Sequence, residues 1–388
     1  GQVVLVPFGK RKNVGIIVGE GTRTIPKEKL KRIEAIYEIN PIPQPSIELI
    51  NFLANWYCAY KGLVLKMVLS PVEAITSTEY KKVYKSKFQD SDEIEEINKY
   101  KITSKRKLIL DFLFKSKQAV FQEDLIDNTG VSKSILKDMT KKNLIVEELV
   151  EKQAYSNLKV PNYNKIKFEI NKLLNSEQKN AVEKINVSIK KKKPDCFLLD
   201  GVPGSGKTET YFQTVKTCLD EGKQILILLP EISLTPDWEK RFHQSFSFAP
   251  LVWHSGITKT KKKQIWLSAL NSSAGVIVGA RSALMLPILN LGLIIVDEEH
   301  DPAFKQEEGV RYNARDMAIY KAIRSSVPIV LASATPSLET YHNMKIGKYI
   351  HLTLPKRATG AALPDIKLID LKANTPERGK WISSVLTS

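Results

Sequence analysis

Cysteine is scarce in this chain, and its scarcity restricts the kinds of site that the protein can hold. The 388 residues include three cysteines, Cys58, Cys196 and Cys218, which are widely separated. Structural zinc sites and disulfide frameworks need paired or clustered cysteines, so neither is expected in this chain. Because chains without disulfides are typical of reducing compartments, we expect a cytoplasmic protein.

Long hydrophobic runs and acidic residues are also in short supply. No apolar run is long enough to cross a bilayer, no signal peptide is visible, and there are no internal repeats. The chain has 59 Lys and Arg against 42 Asp and Glu, a formal net charge of +17. This excess favours a polyanionic partner, nucleic acid before a membrane surface, although a basic surface that serves only solubility is the alternative. At about 150 residues per domain, the length allows roughly two to four domains.

The segment with the clearest chemistry is residues 201–208, G-V-P-G-S-G-K-T, which fits the phosphate-loop pattern G-x-x-x-x-G-K-[ST]. Its glycines permit a backbone curl whose N–H groups point at phosphate oxygens. Lys207 would reach the β- and γ-phosphates, and the Thr208 hydroxyl would bind Mg²⁺. An apolar strand over 196–199 and a helix over 208–219 supply the context that the motif requires. The predicted ATP-binding residues of this loop are Gly201, Val202, Pro203, Gly204, Ser205, Gly206, Lys207 and Thr208.

The N-terminal region predicts a small basic β unit. Strands are expected over 3–6 and 14–19, with a basic turn over 9–13 between them. The proline-rich stretch 41–45 is predicted to be a stiff connector, after which Ser46 would cap a helix. We favour core packing over base stacking for three aromatic residues, Trp56, Tyr57 and Tyr60.

The middle of the chain predicts a linker followed by a winged helix-turn-helix. Residues 76–103 are polar and highly charged, as in a linker. From residue 104 the order is helix, helix, a turn at Gly130, a third helix capped by Ser132, and a strand over 144–150. Lysines on the third helix would either contact DNA phosphates or form the solvated face of a protein-binding domain, and both readings stay open. These lysines are Lys133, Lys137, Lys141 and Lys142.

From residue 170 the chain alternates predicted helices with apolar strands, the order of a parallel α/β sheet with its working residues at the carboxyl ends of the strands. Strands are predicted over 224–229, 276–278, 293–296 and 329–332. The third of these runs into Asp297, which would hold Mg²⁺, and Glu298, which would orient or deprotonate the attacking water. Side chains alternate along a strand, so we expect these two carboxylates on different sides of the strand end. Together with the phosphate loop, they predict ATP hydrolysis with Lys207, Asp297 and Glu298 as the catalytic residues.

Further segments resemble the superfamily 2 helicases and, more narrowly, the PriA family of primosomal replication-restart helicases (primosomal protein N′). The segments are L-P-E-I-S-L-T-P (229–236), H-S-G (254–256), G-A-R-S-A (279–283), D-E-E-H (297–300), K-Q-E-E-G-x-R-Y-x-A-R-D (305–316) and S-A-T (333–335). V-P-F-G (6–9) and the pair Leu30-Lys31 resemble the fork-recognition domain of that family. The likeness covers nearly the whole chain.

The resemblance implies a multidomain α/β protein: a RecA-like P-loop lobe with a mostly parallel sheet, preceded by a small β-rich DNA-binding domain and a winged-helix domain. It implies an ATP- and Mg²⁺-dependent, DNA-stimulated helicase that moves 3′ to 5′, recognises stalled replication forks, unwinds the lagging arm and initiates primosome assembly. The implied partners are branched and single-stranded DNA, other primosome proteins, the single-stranded-DNA-binding protein and the loader of the replicative helicase. A bacterial, nucleoid-associated location and no membrane contact follow from the same likeness.

The resemblance also assigns residues. It places Gln178 near the adenine, and it makes residues 304–316 an aromatic-rich loop that couples DNA contact to hydrolysis. Val310 stands where the family often carries Trp, and Phe304 replaces the common Tyr. The implied coupling residues are His300, Phe304, Lys305, Arg311, Tyr312, Arg315, Ser333 and Thr335. The implied DNA contacts are Gly9 and Lys31, at a pocket for a 3′ end, and Arg281.

We therefore expect a β-rich 3′-end DNA-binding domain over 1–75 whose start lies upstream of Gly1, a linker over 76–103, a winged helix over 104–165, the ATP-binding lobe over 166–354, and an exit linker over 355–388 toward a second lobe. Zinc is expected only in a cysteine-rich module outside this chain. This polypeptide alone is expected to bind ATP and DNA without efficient unwinding. Two alternatives stay open: a fork-recognition and loading platform that uses ATP as a switch, and another superfamily 2 DNA translocase.

Overall fold

The computed structural model describes residues 1–21, 26, 29–69, 80–87, 102–116, 119–151, 174–230, 236–358, 366–376 and 379–387. The chain begins with a three-stranded antiparallel sheet, in the order β2-β1-β3, followed by two helices. These elements are β1 (Val3–Phe8), β2 (Arg11–Ile16), β3 (Ala35–Ile36), α1 (Gln44–Trp56) and α2 (Lys61–Val68).

Several predicted boundaries in this first unit were wrong. The turn between β1 and β2 contains only Gly9 and Lys10, because Gly9 adopts a left-handed φ of +61° that lets the chain reverse at once. Helix α1 is capped by Pro43 and not by Ser46, which lies inside the helix and is buried. A proline is well suited to a helix start because its φ is already close to helical.

Core packing was predicted for three aromatic residues at and after the end of α1, and this prediction was correct for Tyr57 alone. Tyr57 packs against the buried core, whereas Trp56 and Tyr60 are 68% and 83% exposed. Trp56 occupies the last turn of α1 on its outer face and stacks on Phe52, with ring centroids 5.6 Å apart.

A second, separate unit has the predicted order of a winged helix. Its sheet also contains a strand that lies within the predicted linker. Its elements are β4 (Tyr80–Ser86), α3 (Ser104–Ser116), β5 (Val120–Phe121), α4 (Gln122–Thr129), α5 (Lys133–Lys141) and β6 (Ile145–Glu151), with the sheet order β5-β4-β6.

Strand β4 corrects the interpretation of residues 76–103 as linker throughout. Tyr84 is buried in it, and Lys85 pairs with Glu148 of β6 at 2.8 Å. Lys82 likewise pairs with Glu147. Cross-strand pairing of opposite charges explains why a strand here has the charged composition of a linker. Residues 76–79 and 88–101 of that predicted linker lie outside the described residues.

The third unit, over residues 174–358, is called the motor lobe. It is built on a seven-stranded sheet in the order β15-β7-β14-β11-β8-β10-β9, in which every pair of neighbours is parallel. This confirms the predicted α/β fold class. The strands are β7 (Cys196–Gly201), β8 (Gln224–Leu228), β9 (Leu251–Trp253), β10 (Val276–Gly279), β11 (Leu291–Asp297), β14 (Ile329–Ser333) and β15 (Ile350–Leu354), and a short hairpin is formed by β12 (Lys305–Gln306) and β13 (Tyr312–Asn313). The helices are α6 (Ser176–Lys191), α7 (Lys207–Asp220), α8 (Pro236–Phe246), α9 (Lys259–Leu270), α10 (Ala314–Arg324), α11 (Leu338–Lys345) and α12 (Ser384–Thr387), with 3₁₀ helices at Arg281–Met285 and Pro302–Phe304.

The two faces of the sheet have separate cores. Along β8, Ile225 and Ile227 pack with α6, α7 and α8, whereas Leu226 and Leu228 pack on the opposite face with α9 and α10. The second of these cores also contains the buried residues of α1 and α2. The first unit of the chain is therefore packed onto the motor lobe through one continuous hydrophobic core.

Specific contacts reinforce that junction. The indole N–H of buried Trp266 donates a hydrogen bond of 2.8 Å to the carbonyl of Val68. Phe52 of α1 stacks on Tyr320 of α10 with a centroid distance of 3.9 Å, a contact worth about 1 kcal/mol beyond the buried area. In the part of the chain that the structure describes, no helix is long and apolar enough to cross a membrane.

Candidate nucleotide-binding site

The phosphate loop leaves the carboxyl end of β7 and enters α7, as the motif predicted. Gly204 and Gly206 adopt left-handed φ angles of +77° and +81°. A Cβ on Gly206 would lie 2.3 Å from Nε2 of Gln178, so the position requires glycine on grounds of space as well. Helix α7 begins at Lys207, one residue earlier than predicted, and its N-terminal end suits an anion. Nζ of Lys207 donates a hydrogen bond of 2.8 Å to the Gly201 carbonyl, within the curl that would receive phosphate.

Gln178 lies directly against this loop. Its side chain forms a capping box with Asn175 at the start of α6, which fixes its orientation. Nε2 of Gln178 then donates a hydrogen bond of 2.8 Å to the carbonyl of Ser205. Gln178 also lines a cavity of about 820 Å³ beside the loop, large enough for a nucleotide. The predicted role of Gln178 at the adenine is compatible with this placement.

Two arginines that the sequence analysis did not select also line this cavity. Arg241 of α8 is held by Glu209 of α7 at 2.7 Å, and Arg357 follows β15. Neither lies in a recognisable motif, and only the arrangement of β15 and α8 around the loop brings them to the cavity.

The sequence predicted an exit linker over 355–388. The first residues of this segment, directly after β15, are instead held against the phosphate loop. The backbone N–H of Ala358 donates a hydrogen bond of 2.9 Å to the carbonyl of Gly204, which holds Arg357 at the phosphate loop. The reason is topological: β15 is the neighbour of β7 in the sheet, so the two strands end side by side.

Asp297 stands at the carboxyl end of β11, is buried, and lies against the helix that follows the phosphate loop. Its Oδ2 accepts a hydrogen bond of 2.9 Å from the hydroxyl of Tyr211, a residue of the phosphate-loop helix. The pKa of Asp297 is raised to about 6, chiefly by burial and also by neighbouring Glu298, while the Tyr211 hydroxyl and Lys207 lower it. Because Tyr211 belongs to the helix that begins at Lys207, the strand-end acid is in contact with the phosphate-loop helix.

Glu298 is directed by a turn and not by strand alternation, which corrects the expected reason for its orientation. Strand β11 ends at Asp297, and Glu298 adopts a left-handed φ of +48°. Its backbone N–H donates a hydrogen bond of 3.1 Å to Oδ1 of Asp297. A non-glycine residue in this conformation costs about 1 kcal/mol or more, and such residues cluster at functional sites.

The residues near the loop fit a magnesium ion bound together with a nucleotide. Thr208 precedes Tyr211 by about one turn of α7, and the Tyr211 hydroxyl contacts the carboxylate of Asp297, so both predicted oxygen donors lie near the start of this helix. Among the described residues, no group of three or more His, Cys, Asp or Glu could hold a metal ion. The Thr208 hydroxyl and the Asp297 carboxylate are the kind of donors that Mg²⁺ uses when substrate phosphates and waters complete its coordination shell. Bound there, Mg²⁺ would neutralise charge on the phosphates.

His300 and Ser333 are brought together as predicted. Nδ1 of His300 lies 2.8 Å from Oγ of Ser333, and the same nitrogen is 3.6 Å from Oε2 of Glu298. Oγ of Ser333 also accepts a hydrogen bond of 3.0 Å from the N–H of Thr335. The S-A-T segment is thus one side chain away from the predicted catalytic glutamate.

Glu299 is the residue of this region that sequence reasoning missed. Its side chain is fully buried and accepts hydrogen bonds from the Ser337 N–H at 2.7 Å and the Thr340 hydroxyl at 2.9 Å. Nη1 of Arg315 donates to the same carboxylate at 3.1 Å. A third acid directly after two catalytic candidates was the available signal, but an acidic run gives no indication of which member is buried.

The predicted aromatic-rich loop has its aromatic residues inside the protein. Phe304 and Tyr312 are each 1% exposed, so they are core residues and do not form a surface for base stacking. Lys305 and Arg311 are exposed. Nη1 of Arg281 donates hydrogen bonds to the carbonyls of Ala303 and Lys305, at 3.3 and 3.1 Å, and so braces this loop. A DNA contact by Arg281 stays a prediction.

The other predicted DNA contacts lie on the surface of the first unit and of the winged helix. Nζ of Lys31 donates a hydrogen bond of 3.3 Å to the carbonyl of Gly9, so the two residues assigned to a 3′-end pocket are neighbours. The lysines of α5 are exposed, and whether they meet DNA or protein stays open. In the segment 229–236, residues 231–235 lie outside the described residues.

Comparison with known proteins decides the family. The DEAD/DEAH box helicase family matches residues 175–344, and the 3′ DNA-binding domain family matches residues 1–70. The chain is 35% identical over 383 residues to the replication restart protein PriA of Haemophilus influenzae, a match that covers 98% of this chain. This chain belongs to the PriA family.

Other PriA proteins give the same picture. The chain is 31% identical to PriA of Chlamydia pneumoniae over 396 residues, covering 100% of this chain, and 46% identical to PriA of Rickettsia conorii over 213 residues, covering 55% of it. The matches cover 51% of the Haemophilus and Chlamydia proteins and 32% of the Rickettsia protein. The chain thus spans about half the length of the PriA relatives that it matches from end to end.

Proposed function

We propose that this chain is the DNA-recognition and ATP-binding part of a 3′–5′ DNA helicase that recognises stalled replication forks, unwinds the lagging arm and initiates primosome assembly for replication restart. DNA would stimulate its ATP hydrolysis. The observation that carries the proposal is the hydrogen bond that joins the helix following the phosphate loop, through Tyr211, to the strand-end acid Asp297. The segment that follows this acid packs against the unit that matches the 3′ DNA-binding domain family.

The proposed chemistry assigns one task to each group. Lys207 and the curled backbone would hold the β- and γ-phosphates, and Asp297 with Thr208 would hold Mg²⁺. Glu298 would orient or deprotonate the attacking water, and its contact with His300 offers a route by which Ser333 affects it.

A lysine pair within one helix tests the ATP site. Lys207→Ala should weaken binding of a fluorescent magnesium-ATP analogue by at least about 100-fold, since two charge-assisted hydrogen bonds of roughly 1.5–3 kcal/mol each are lost. Lys216→Ala is the matched control, because Lys216 lies on the outer part of α7 and pairs only with Asp220 in the described structure. Equal affinities of the two variants would contradict the proposal.

DNA binding is expected to depend on charge more than on base sequence. With a net charge of +17, the chain should lose affinity for single-stranded and forked oligonucleotides steeply as salt rises. A binding constant that stays flat across a salt titration would contradict phosphate contacts. The proposed protein partners are other primosome proteins, the single-stranded-DNA-binding protein and the helicase loader, in the bacterial cytoplasm.

A loading platform that uses ATP as a switch is the second candidate, and the shared core between the first unit and the motor lobe favours it. We expect this polypeptide alone to bind ATP and DNA without efficient unwinding, because the nucleotide contacts among the described residues come from one lobe. Brisk displacement of a strand from a forked duplex would contradict this expectation.

ATPase stimulation by single-stranded DNA favours the motor, and its absence favours the platform. The match of residues 1–70 to a 3′ DNA-binding domain argues against an unrelated translocase.

A further inference from the structure

The first unit of the chain touches the motor lobe at the residue that starts α10. Tyr57, the residue that follows α1, is half-buried, and its hydroxyl accepts a hydrogen bond of 3.2 Å from the backbone N–H of Asn313. Asn313 caps α10, since its Oδ1 accepts a hydrogen bond of 3.0 Å from the N–H of Arg315. One phenol hydroxyl thus contacts the cap of the helix that carries Arg315.

From Arg315 a buried polar network continues to the catalytic turn. The Arg315 guanidinium donates to Glu299 at 3.1 Å and to the Ser337 hydroxyl at 2.6 Å, and its side chain is 8% exposed. Glu299 lies between Glu298 and His300 in the chain. Because buried charged groups tolerate little displacement from their partners, a shift of Arg315 must move Glu299 or break the pair.

The same network reaches the catalytic glutamate from its other side. Ser337, which contacts both Arg315 and Glu299, follows the S-A-T segment by two residues. Ser333 in that segment contacts His300, whose ring lies beside Glu298. Glu298 is therefore linked to the start of α10 through both neighbouring segments, partly by hydrogen bonds, partly along the chain, and through the 3.6 Å approach of His300 Nδ1 to its carboxylate.

Helix α1 contacts α10 at several points along its length. Phe52 stacks on Tyr320, and Glu48 pairs with Arg324, so α1 contacts the middle and the end of α10. Tyr57 adds the polar contact at the beginning of α10. Its hydrogen bond is the one among these contacts that can be removed without disturbing the apolar packing, because phenylalanine has the same ring.

We propose that Tyr57 is a positioning residue that couples the first unit to the ATP site. Its hydroxyl holds the first turn of α10, and with it the Arg315–Glu299 pair, at a fixed position relative to the DNA-binding unit. DNA bound by that unit then changes nucleotide affinity through α10. The inference rests on the proposed function, since it assumes that residues 1–70 bind DNA and that the phosphate loop binds ATP.

The test measures coupling between two ligands. Affinity for a non-hydrolysable magnesium-ATP analogue is measured with and without a forked oligonucleotide that has a free 3′ end, and the ratio is the coupling factor. Tyr57→Phe should lower this factor about threefold to tenfold, the range expected for one hydrogen bond. Nucleotide affinity without DNA and DNA affinity without nucleotide should stay within about twofold of wild type. Tyr60→Phe, which removes an exposed hydroxyl nearby, should leave the factor unchanged.

Three further measurements separate a positioning role from a structural one. Tyr57→Phe should speed hydrogen exchange at the Asn313 amide. In the Arg315→Lys background, Tyr57→Phe should have little additional effect on the coupling factor, because the downstream link is already altered. A Tyr57→Phe protein with reduced thermal stability but the wild-type coupling factor would overturn the inference.

Failure of the proposed function gives a different result. If wild-type protein binds the fork and the nucleotide with a factor of one, there is no coupling for Tyr57 to transmit, and the inference is overturned while both binding sites stand. If it binds neither ligand, the proposed function itself is overturned.

Discussion

The hydroxyl of Tyr211 donates a hydrogen bond of 2.9 Å to Oδ2 of Asp297, and both side chains are buried. The indole N–H of Trp238 lies 3.2 Å from the same hydroxyl oxygen. Burial raises the pKa of Tyr211 well above its ordinary value, and the Asp297 carboxylate raises it further, so the phenol stays a neutral donor. The helix that follows the phosphate loop therefore contacts and orients the carboxylate of Asp297 directly.

Removing that hydroxyl should weaken the nucleotide site. Tyr211→Phe leaves the buried carboxylate of Asp297 without this donor, and we expect magnesium-ATP affinity to fall about threefold to tenfold. Titration with a fluorescent analogue measures the change. Tyr341→Phe, at an exposed position on α11, is the control, and equal affinities would show that Tyr211 does not orient the acid.

The buried network around Glu299 should be a major contributor to stability. Glu299→Ala removes the buried carboxylate that accepts from Arg315, the Ser337 N–H and the Thr340 hydroxyl, while Arg315 keeps its pairing with Asp316, so we expect the free energy of unfolding to fall by about 2–4 kcal/mol. Denaturant unfolding followed by tryptophan fluorescence reports this value. Glu308→Ala, on the exposed turn of the hairpin, should change it by less than about 0.5 kcal/mol. Similar losses in both variants would contradict the assignment.

Lys321 should give the motor lobe a distinctive pH dependence. Its Nζ donates to the carbonyls of Leu284 and Leu286, each at 2.7 Å, and burial lowers its pKa to about 7. An unfolded lysine titrates near about 10.4, so between pH 7 and about 10 the unfolded chain binds one more proton than the folded chain. Stability from this site must then rise with pH across that window.

The Lys321→Met variant isolates this effect. The difference in unfolding free energy between wild type and variant should shift in favour of wild type by up to about 1.4 kcal/mol per pH unit above pH 7. Lys348→Met, at an exposed site, should show no such slope. A pH-independent difference for Lys321→Met would mean that the buried amine keeps its ordinary pKa.

Arg357 should contribute to nucleotide binding although it lies outside every recognised motif. It lines the cavity beside the phosphate loop, held there by the hydrogen bond from Ala358 to Gly204. Arg357→Ala should weaken magnesium-ATP binding about tenfold, the cost of one charge-assisted contact. Lys356→Ala removes an adjacent positive charge and is the control for general electrostatics. Losses of equal size would indicate that only the local charge matters.

The sequence predicted the placement of a segment best where neighbouring residues define its shape. The phosphate loop was readable because glycines, a lysine and a hydroxyl must follow one another for the curl to form. The position of Asp297 could be predicted because it ends an apolar strand, and Glu298 follows it in the turn. By contrast, β4 was mistaken for linker, because its lysines are neutralised only by glutamates of β6 that are more than 60 residues away.

The aromatic residues were the least predictable group. Phe304 and Tyr312 were assigned to a DNA-sensing loop, and both lie in the core; Trp56 and Tyr60 were assigned to the core, and both are exposed. An aromatic side chain serves either environment, so its type does not decide its location. Tertiary packing decides the location: Phe304 and Tyr312 belong to the hydrophobic core that α1 and α10 share.

The amino-acid sequence alone determined the phosphate loop, the acid at the strand end and the parallel α/β order, since each follows from short-range backbone geometry and side-chain periodicity. The tertiary structure decided which elements meet: Tyr57 with Asn313, 256 residues apart, Arg315 with Glu299, and Arg357 with the phosphate loop. These contacts arise from burying one hydrophobic core between two units of the chain, and no local pattern records which polar groups that burial brings within hydrogen-bonding distance.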